Sequence, residues 1–379
     1  MVDVLIFGDS MTSPAMRHEV PVPVPDEFVY AEHDGRRFVA VYAHEVTRMS
    51  GVDTLEVHPF EELGYDELIA QGLSRDEILV ELALRTCREL GIRSASVPPT
   101  FPLGVADHLR ANGIDLSPDI QHFSDRRRVK NESELAGIRR AQLAAEAGMR
   151  VARDMLGGAR PRDGTLLLDG ETLTCERIKA AIGQALTAHD TTGEEFIVAH
   201  GAQTAIGHEM GYGPIAPNEP VVIDLFPRDR QSGCYADMTR TFVVGTPPDE
   251  LVEYHRLTLE ALERAVAGVR AGVVGRDLHI ETCRFYEEHG YPTQLSKEPG
   301  RLLEDGFFHG LGHGVGLEVH EKPALGMTGH EELVAGDVVT LEPGLYRSGF
   351  GGCRLEDLVV VGEAGCENLT SFPYDLAPR

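Results

Sequence analysis

Apolar and polar positions alternate over the first part of the chain as they do in short strands and helices. The run VDVLIF predicts a first strand, and EFVYAEHDGRRFVAVYA predicts a β-hairpin that turns at Asp34 and Gly35, residues that accept the positive φ angles of a tight turn. Helical spacing predicts two helices, at residues 74–90 and 103–112, and Gly91 is expected to end the first. These elements predict a small α/β domain over residues 1–124.

The order of elements predicted after residue 124 recurs once. A basic run, Asp125–Lys130, is interpreted as a linker, and Asn131 and Glu134 have the spacing of a capping box at the start of a helix. Helices are predicted at about 131–156, 173–188, 249–271 and 277–289, and strands at about 196–199, 221–225, 338–342 and 355–361. We expect a second α/β domain over residues 125–379, with a cleft between the sheets of its two halves.

Composition and charge narrow the class of function. A chain that is 42% hydrophobic and 25% charged is typical of folded soluble proteins, and no apolar run approaches the roughly 18 residues of a membrane span. The start, MVDVLIFGDS, lacks the features of a signal peptide, which predicts a cytoplasmic location. The net charge of −26 argues against nucleic acid as a partner.

The six cysteines do not indicate a metal site. No pair has the CxxC or CxxH spacing of a zinc knuckle. In a cytoplasmic protein they are interpreted as small buried apolar residues.

Three histidines lie close together in HGLGHGVGLEVHE, which spans residues 309–321. His309, His313 and His320 are separated by glycines, and so many glycines argue against a long helix. An extended or looped path beside a cleft is expected, with the backbone close to another backbone or to a ligand. The alternative is a glycine-rich surface loop whose histidines have no common role.

Four carboxylates interrupt apolar runs elsewhere in this domain. Asp224 ends a predicted strand, and Asp237 is placed in the next strand, on the same face as Thr239. Glu342 in VVTLEPG and Glu356 in CRLEDLVVV have similar surroundings. A carboxylate inside an apolar strand is costly unless it is paired or binds a cation. Each one alone is also compatible with a buried ion pair.

The charge of this set indicates what it could bind. Four carboxylates are nearly neutralised by two divalent cations with a bridging hydroxide, whereas one cation would leave a repulsion that raises a carboxylate pKa. Oxygen ligands with one imidazole, that of His313, favour Mn²⁺ or Co²⁺ over Zn²⁺ or Fe²⁺. The set predicts a hydrolytic site with two metals.

From about residue 125 the chain resembles the pita-bread metallopeptidases, the family of prolidase and aminopeptidase P. The matching stretches, in the family's order, are AIGHEMG, IDLF…ADMTRTF, HGLGHGVGLEVHE, TLEPGLY and CRLEDLVVV. The resemblance implies a catalytic pita-bread domain after a smaller creatinase/prolidase-like α/β domain. It also implies a homodimer that hydrolyses the bond between an N-terminal residue and proline in small peptides.

The resemblance implies a metal ligand at each of five positions. Asp224 would bind one metal, Asp237 and Glu356 would bridge both, and His313 with Glu342 would complete the second. The two divalent ions are expected to be Mn²⁺, with Co²⁺ or Zn²⁺ as alternatives. The bridging hydroxide would attack the scissile carbonyl, and Glu342 would accept its proton and pass it to the leaving nitrogen.

The resemblance also implies roles for residues that bind no metal. His309 and His320 would stabilise the oxyanion or the leaving nitrogen of proline, and His208 matches a further substrate histidine. Arg354 would orient its neighbouring carboxylate or Asp237, and Thr239 would also orient one of these carboxylates.

Two positions depart from the family's pattern. The family usually has Asp-x-Gly at the first ligand and a shorter gap to the second aspartate, so Asp229 competes with Asp224 here. Asp224 is preferred because a strand end is better positioned than a turn. Many prolidases carry an arginine four residues after the third histidine, where it holds the carboxylate of a dipeptide; this chain has Ala324.

Other members of the same fold provide the competing interpretations. Creatinase-like enzymes work without metal, and some members only bind peptides or histones. The joint presence of all five ligand positions favours a metal-dependent enzyme over both. Methionine aminopeptidases share the ligand set, but the added N-terminal domain with His309 and His320 favours the proline-directed branch.

Overall fold

The computed structural model of the protein describes residues 2–193 and 195–378, and the chain divides into two compact units between Arg127 and Arg128. The sequence places this limit at residue 124. The predicted linker Asp125–Lys130 contains the division, but its first two residues end a helix, Ile120–Arg126. Its last residues belong to the second unit, where the guanidinium of Arg128 is paired with the buried Asp337.

The first unit is built around one six-stranded sheet. The predicted first strand and the hairpin are confirmed, and the hairpin turns at Asp34 and Gly35 with φ angles of 49° and 81°. In chain order the elements are β1 Val4–Gly8, α1 Pro14–Glu19, β2 Phe28–His33, β3 Arg36–Val41, α2 Ala43–Met49, β4 Glu56–Pro59, α3 Tyr65–Ala70, α4 Arg75–Leu90, β5 Ser94–Val97, α5 Leu103–Ala111, β6 Asp115–Pro118 and α6 Ile120–Arg126. The strands are ordered β4-β3-β2-β1-β5-β6 in the sheet.

The second unit contains the predicted recurrence of helices and strands. Its first half consists of α7 Glu132–Gly158, β7 Arg160–Arg162, β8 Thr165–Leu168, β9 Glu171–Thr172, α8 Cys175–Ala188, β10 Thr191–Thr192, β11 Ile197–His200, β12 Val221–Leu225, β13 Arg228–Asp229 and β14 Met238–Phe242. Its second half consists of α9 Asp249–Gly268, α10 Gly275–Glu288, β15 Gly312–Gly314, β16 Glu321–Leu325, β17 Val338–Leu341, β18 Gly344–Arg347, β19 Gly351–Arg354, β20 Asp357–Val361 and β21 Cys366–Asn368.

Each half packs its two helices on its own sheet. Helices α7 and α8 share an apolar core with the sheet β11-β12-β14. Helices α9 and α10 do the same with the sheet β16-β15-β17-β20-β21. The predicted capping box opens α7, where the side chain of Asn131 accepts from the backbone N–H of Glu134 at 2.9 Å. A pair of helices therefore backs each sheet, and α7 also packs Ile138 and Ala141 in a core with Val338 and Leu358 of the second sheet.

The prediction that the cysteines are buried holds for five of the six. Cys87, Cys175, Cys234, Cys283 and Cys353 are buried, Cys366 is half-buried, and all six are free thiols. Among the described residues, no helix is long and apolar enough to cross a membrane.

Candidate metal centre

The four predicted carboxylates come from the ends of strands in both sheets. Asp224 lies in β12, opposite Thr239 of β14, while Asp237 lies one residue before β14 and not within it as the sequence predicts. Glu342 directly follows β17, and Glu356 directly precedes β20. The apolar residues of each strand fix its position in the core, so the carboxylate at its end has a defined place.

His313 reaches the same place from β15. Ligand atoms of Asp237, His313 and Glu356 all lie within 4.8 Å of one another. The Nε2 atom of His313 is 3.8 Å from Asp237 Oδ2 and 3.7 Å from Glu342 Oε1. The structure thus brings together residues that are up to 119 positions apart, from Asp237 to Glu356.

Two buried oxygen atoms in this cluster lack hydrogen bonds. Asp224 Oδ1 and Asp237 Oδ1 have no hydrogen-bond partner among the described residues. The other oxygen of Asp224 accepts from Arg354 Nη2 at 2.6 Å. A buried carboxylate oxygen without a donor is costly, and a cation is the partner that would satisfy it. The residues present therefore fit divalent metal ions.

Mutual repulsion perturbs the protonation of these carboxylates. Burial, followed by the charges of Glu356, Asp224 and Glu342, raises the pKa of Asp237 well above its usual range. Burial and the charge of Asp224 raise the pKa of Glu342 to about 8, although Arg354 opposes them. Burial likewise raises the pKa of Glu356. Bound cations would reverse these shifts, because they favour the charged carboxylates.

Burial keeps the two inner histidines neutral. It lowers the pKa of His309 to about 3 and that of His313 to about 4. Nδ1 of His313 lies 3.1 Å from the carbonyl oxygen of Gly314, and since a carbonyl only accepts, Nδ1 must carry the proton. His313 then presents the lone pair of Nε2 to Asp237 and Glu342, which is the form that binds a metal.

His309 is held by a tyrosine, Tyr346, whose role the sequence motifs do not predict. Its Nδ1 donates to the carbonyl oxygen of Gly310 at 2.8 Å, and its Nε2 lies 2.8 Å from the Tyr346 hydroxyl. Arg354 Nη1 donates to the same hydroxyl at 3.3 Å, so the hydroxyl gives its own proton to His309. Tyr346 stands in the quoted stretch TLEPGLY. A tyrosine in an apolar run needs a polar partner, and that signal could have identified it.

The other two predicted histidines are more exposed. The ring of His320 meets that of His313 edge to face at 4.3 Å. His208 is exposed in the segment after β11, yet its charge contributes to the lowered pKa of His309 and of His320. His309 and His320 therefore lie near the carboxylates, with Nδ1 of His309 3.9 Å from Glu342 Oε2, while His208 is close enough to the other two histidines to affect their pKa values.

The glycines among these histidines serve close backbone contacts, as the sequence predicts. A Cβ atom on Gly312 would lie 2.0 Å from the carbonyl oxygen of Thr340, and one on Gly314 would lie 2.2 Å from that of Lys322. Strand β15 is therefore pressed between β16 and β17, which fixes His313 from both sides.

Arg354 and Thr239 lie beside the carboxylates. Arg354 Nη2 donates to Asp224, and Thr239 Oγ1 donates to Glu356 Oε2 at 2.7 Å. Arg354 Nε also donates to Thr239 Oγ1 at 3.3 Å. Arg354 and Thr239 thus link the carboxylate of Asp224, in the first sheet, to the carboxylate of Glu356, beside the second sheet.

Asp229, the competing aspartate, lies in a different environment. It accepts two hydrogen bonds from Arg140 of α7, at 3.0 and 2.8 Å, and two more from the backbone and hydroxyl of Ser232, both at 2.7 Å. The lengthened turn between Asp224 and Asp237 is attached to α7 by this carboxylate. Its oxygens are occupied, in contrast to Oδ1 of Asp224.

Comparison with known proteins places this arrangement in context. Residues 136–363 match the sequence model of Metallopeptidase family M24. The chain is 30% identical over 290 residues to an Xaa-Pro dipeptidase of Pyrococcus horikoshii, covering 76% of this chain and 75% of that protein.

Solved structures support the same fold. That of an Xaa-Pro dipeptidase from Bacillus anthracis has a TM-score of 0.79 at 25% identity, over 99% of this chain and 94% of the other. That of an X-Pro aminopeptidase from Thermotoga maritima has a TM-score of 0.78 at 23% identity, over 99% and 97%. The predicted class, a pita-bread fold with a smaller N-terminal α/β part, is confirmed.

Proposed function

Because the chain belongs to metallopeptidase family M24, we propose that it is a dinuclear peptidase that hydrolyses the bond between an N-terminal residue and proline. The observation that carries the proposal is the cluster of four carboxylates and His313, with unpartnered buried oxygens on Asp224 and Asp237. The Xaa-Pro dipeptidases among its relatives support proline as the second residue.

Two divalent ions fit the charge of the cluster better than one. Asp224, Asp237, Glu342 and Glu356 together carry about four negative charges when ionised, and Arg354 is the cation that the structure pairs with one of them. The ions would be held by Asp224, Asp237, His313, Glu342 and Glu356. Oxygen ligands with a single imidazole favour Mn²⁺, and Co²⁺ or Zn²⁺ are the alternatives.

Bound divalent ions would supply a water of lowered pKa as nucleophile and polarise the scissile carbonyl. Glu342, ionised once the ions are bound, accepts the proton of the attacking water and donates it to the leaving nitrogen. The more exposed His320 and His208 stabilise the developing oxyanion or the leaving nitrogen. His309 takes part in this when it exchanges its hydrogen bond with Gly310 or Tyr346 for one to the substrate.

The test combines metal removal with two aspartate variants. Dialysis against a chelator should abolish hydrolysis of an Xaa-Pro peptide, and Mn²⁺ should restore it. Asp224→Asn should lower kcat by more than about a hundredfold, a loss of about 3 kcal/mol in the transition state. Full activity with metal shown to be absent would overturn the proposal.

Asp229→Asn is the matched control. It should lower the free energy of unfolding by about 1–3 kcal/mol, since it weakens buried charge-assisted hydrogen bonds, and leave kcat near that of the wild type. The reverse pattern of activities would transfer the ligand role from Asp224 to Asp229.

A further inference from the structure

Arg240 is a fully buried arginine next to the proposed metal ligands, with 1% of its surface exposed. It lies in β14, one residue after Thr239. A guanidinium has five N–H donors, and every one of them meets an acceptor. The acceptors are the carbonyl oxygens of Glu356 at 2.8 Å, Thr239 at 2.9 Å, Phe372 at 3.0 Å and Pro373 at 3.0 Å, and Asp357 Oδ1 at 2.9 Å.

Two of these acceptors, the carbonyl oxygens of Thr239 and Glu356, belong to the segments that carry the proposed ligands Asp237 and Glu356. The carbonyl of Thr239 also accepts from the backbone N–H of Glu356 at 3.0 Å, and the Thr239 hydroxyl donates to the Glu356 carboxylate. Arg240 therefore joins the backbone of β14, which follows Asp237, to the backbone at Glu356.

The segment 368–374 completes the surroundings of this arginine. Asp357, its ionic partner, accepts from Asn368 Nδ2 at 2.6 Å and from the Tyr374 hydroxyl at 2.5 Å. The guanidinium lies over the ring of Tyr374, 4.4 Å from its centre. The carbonyl of Tyr374 is in turn 2.6 Å from Nε2 of His255 in α9. Residues after the last strand thus take part in holding the ligand-bearing strands.

A contribution to stability does not by itself explain why Arg240 and Asp357 are buried as an ion pair. A buried ion pair contributes little net stability compared with apolar residues of the same volume, because both charges lose their hydration. The structure contains a second buried pair, Arg128 with Asp337, of which Arg128 is 9% and Asp337 0% exposed. Arg128 donates to Asp337 and to the carbonyl of Glu332, and none of these is a proposed ligand.

We propose that Arg240, held by Asp357 and the segment 368–374, is a positioning residue that fixes the distance between Asp237 and Glu356. This inference rests on the proposed function, in which these two carboxylates would both hold the metals. Substituting Arg240 should weaken metal binding and not merely stability. Substitution of a residue that orients a metal ligand typically lowers the affinity for the metal by about 10–100-fold.

The experiment measures metal binding directly. Isothermal titration of the metal-free protein with Mn²⁺ gives stoichiometry and Kd, and thermal unfolding of the metal-free protein gives Tm. Arg240→Lys keeps the charge opposite Asp357 but offers three donors in place of five. We expect a Kd about 10–100-fold higher for at least one Mn²⁺. Arg128→Lys, the matched control, should lower Tm to a similar extent and leave both Kd values unchanged.

The outcomes separate this inference from the proposed function. If the wild type binds no Mn²⁺, the proposed function fails. If the wild type binds two ions and folded Arg240→Lys binds them with the same affinity, only the positioning role is overturned. If Arg240→Lys does not fold, Tyr374→Phe takes its place in the experiment. This variant removes only the hydroxyl that donates a hydrogen bond to Asp357. Weaker binding in that variant supports the role, and wild-type affinity contradicts it.

Discussion

Glu342 links the charge of the site to its chemistry. Its pKa of about 8 comes from burial and from the charge of Asp224, against the opposing charge of Arg354. In the metal-free protein this carboxyl keeps its proton at neutral pH, so binding a cation must release it. A carboxyl that a bound cation would deprotonate is therefore also the group proposed to move the proton.

The stability of the metal-free protein should fall as the pH rises from about 7 to 8. Glu342 has a raised pKa in the folded state, so the folded protein holds a proton that the unfolded chain has lost. This group alone lowers stability by up to about 1.4 kcal/mol per pH unit, and the raised pKa values of Asp237 and Glu356 act in the same direction. Below about pH 6.5 the lowered pKa values of His309 and His313 act in the opposite direction. Urea unfolding at several pH values measures this.

Glu342→Gln is the control for this effect. The variant should show a smaller decrease in the free energy of unfolding between pH 7 and 8 than the wild type. A wild-type stability that rises across this interval in the absence of metal would contradict the pKa assigned to Glu342.

Tyr346→Phe should impair turnover without loss of metal. The variant keeps the ring but removes the hydroxyl that orients His309, and loss of about 1.4 kcal/mol in the transition state corresponds to about a tenfold lower kcat. Metal stoichiometry should remain that of the wild type. Steady-state kinetics with Tyr254→Phe, whose hydroxyl donates to Glu250, give the comparison; an equal loss in both variants would argue against a specific role for Tyr346.

Elements with strong local signals could be predicted from the sequence, and long-range pairs could not. The capping box of α7, the hairpin turn at Asp34–Gly35 and strand β12 follow from residues adjacent in the chain. The pairing of Arg354 with Asp224 joins residues 130 positions apart, and no local pattern encodes it. Asp237 was placed within a strand because alternation does not show where pairing begins.

Substitutions of two glycines in HGLGHGVGLEVHE should have very different effects. Gly312→Ala would place Cβ against the backbone of Thr340, and strands β15 and β17 would have to separate. Gly310→Ala would place Cβ 3.4 Å from its nearest neighbour, the carbonyl oxygen of Leu325, an ordinary contact. We expect Gly312→Ala to lower stability by about 3 kcal/mol or more and Gly310→Ala by less than about 1 kcal/mol. Thermal unfolding of the two variants tests this; similar Tm values would contradict the packing of β15.

At the scale of the whole molecule, the peptide length accepted by the enzyme depends on the charges around the site. Ala324 stands opposite His313 in the pair of β15 with β16, where a longer side chain could approach the substrate. The nearby Lys322 is 2.6 Å from Glu331. A dipeptide must bring its terminal carboxylate into this region, and desolvating it without a cationic partner is costly.

Tripeptides should therefore be cleaved at least as well as dipeptides. The quantity to measure is kcat/KM for Xaa-Pro and for Xaa-Pro-Xaa with the same first residue. Ala324→Arg should shift the ratio towards the dipeptide by about ten- to a hundredfold, the worth of a charge-assisted pair of about 1.5–3 kcal/mol. Ala324→Met is the control for side-chain size. A wild-type preference for the dipeptide above tenfold would show that another group binds the carboxylate.

A homodimer is the state of assembly that the family resemblance implies. One chain has a mass of 41.4 kDa. Light scattering of the purified protein at working concentration should give twice that mass. A mass of one chain would contradict the prediction.

The five buried cysteines make the protein suited to chemical labelling. Burial raises the pKa of the Cys87, Cys175, Cys234 and Cys353 thiols to about 12 and that of Cys283 to about 11. Maleimides and alkylating agents react with the thiolate, so these side chains are protected both by access and by protonation. Only Cys366 is half-buried, and its replacement by serine would leave a background on which one introduced surface cysteine can carry a spectroscopic probe.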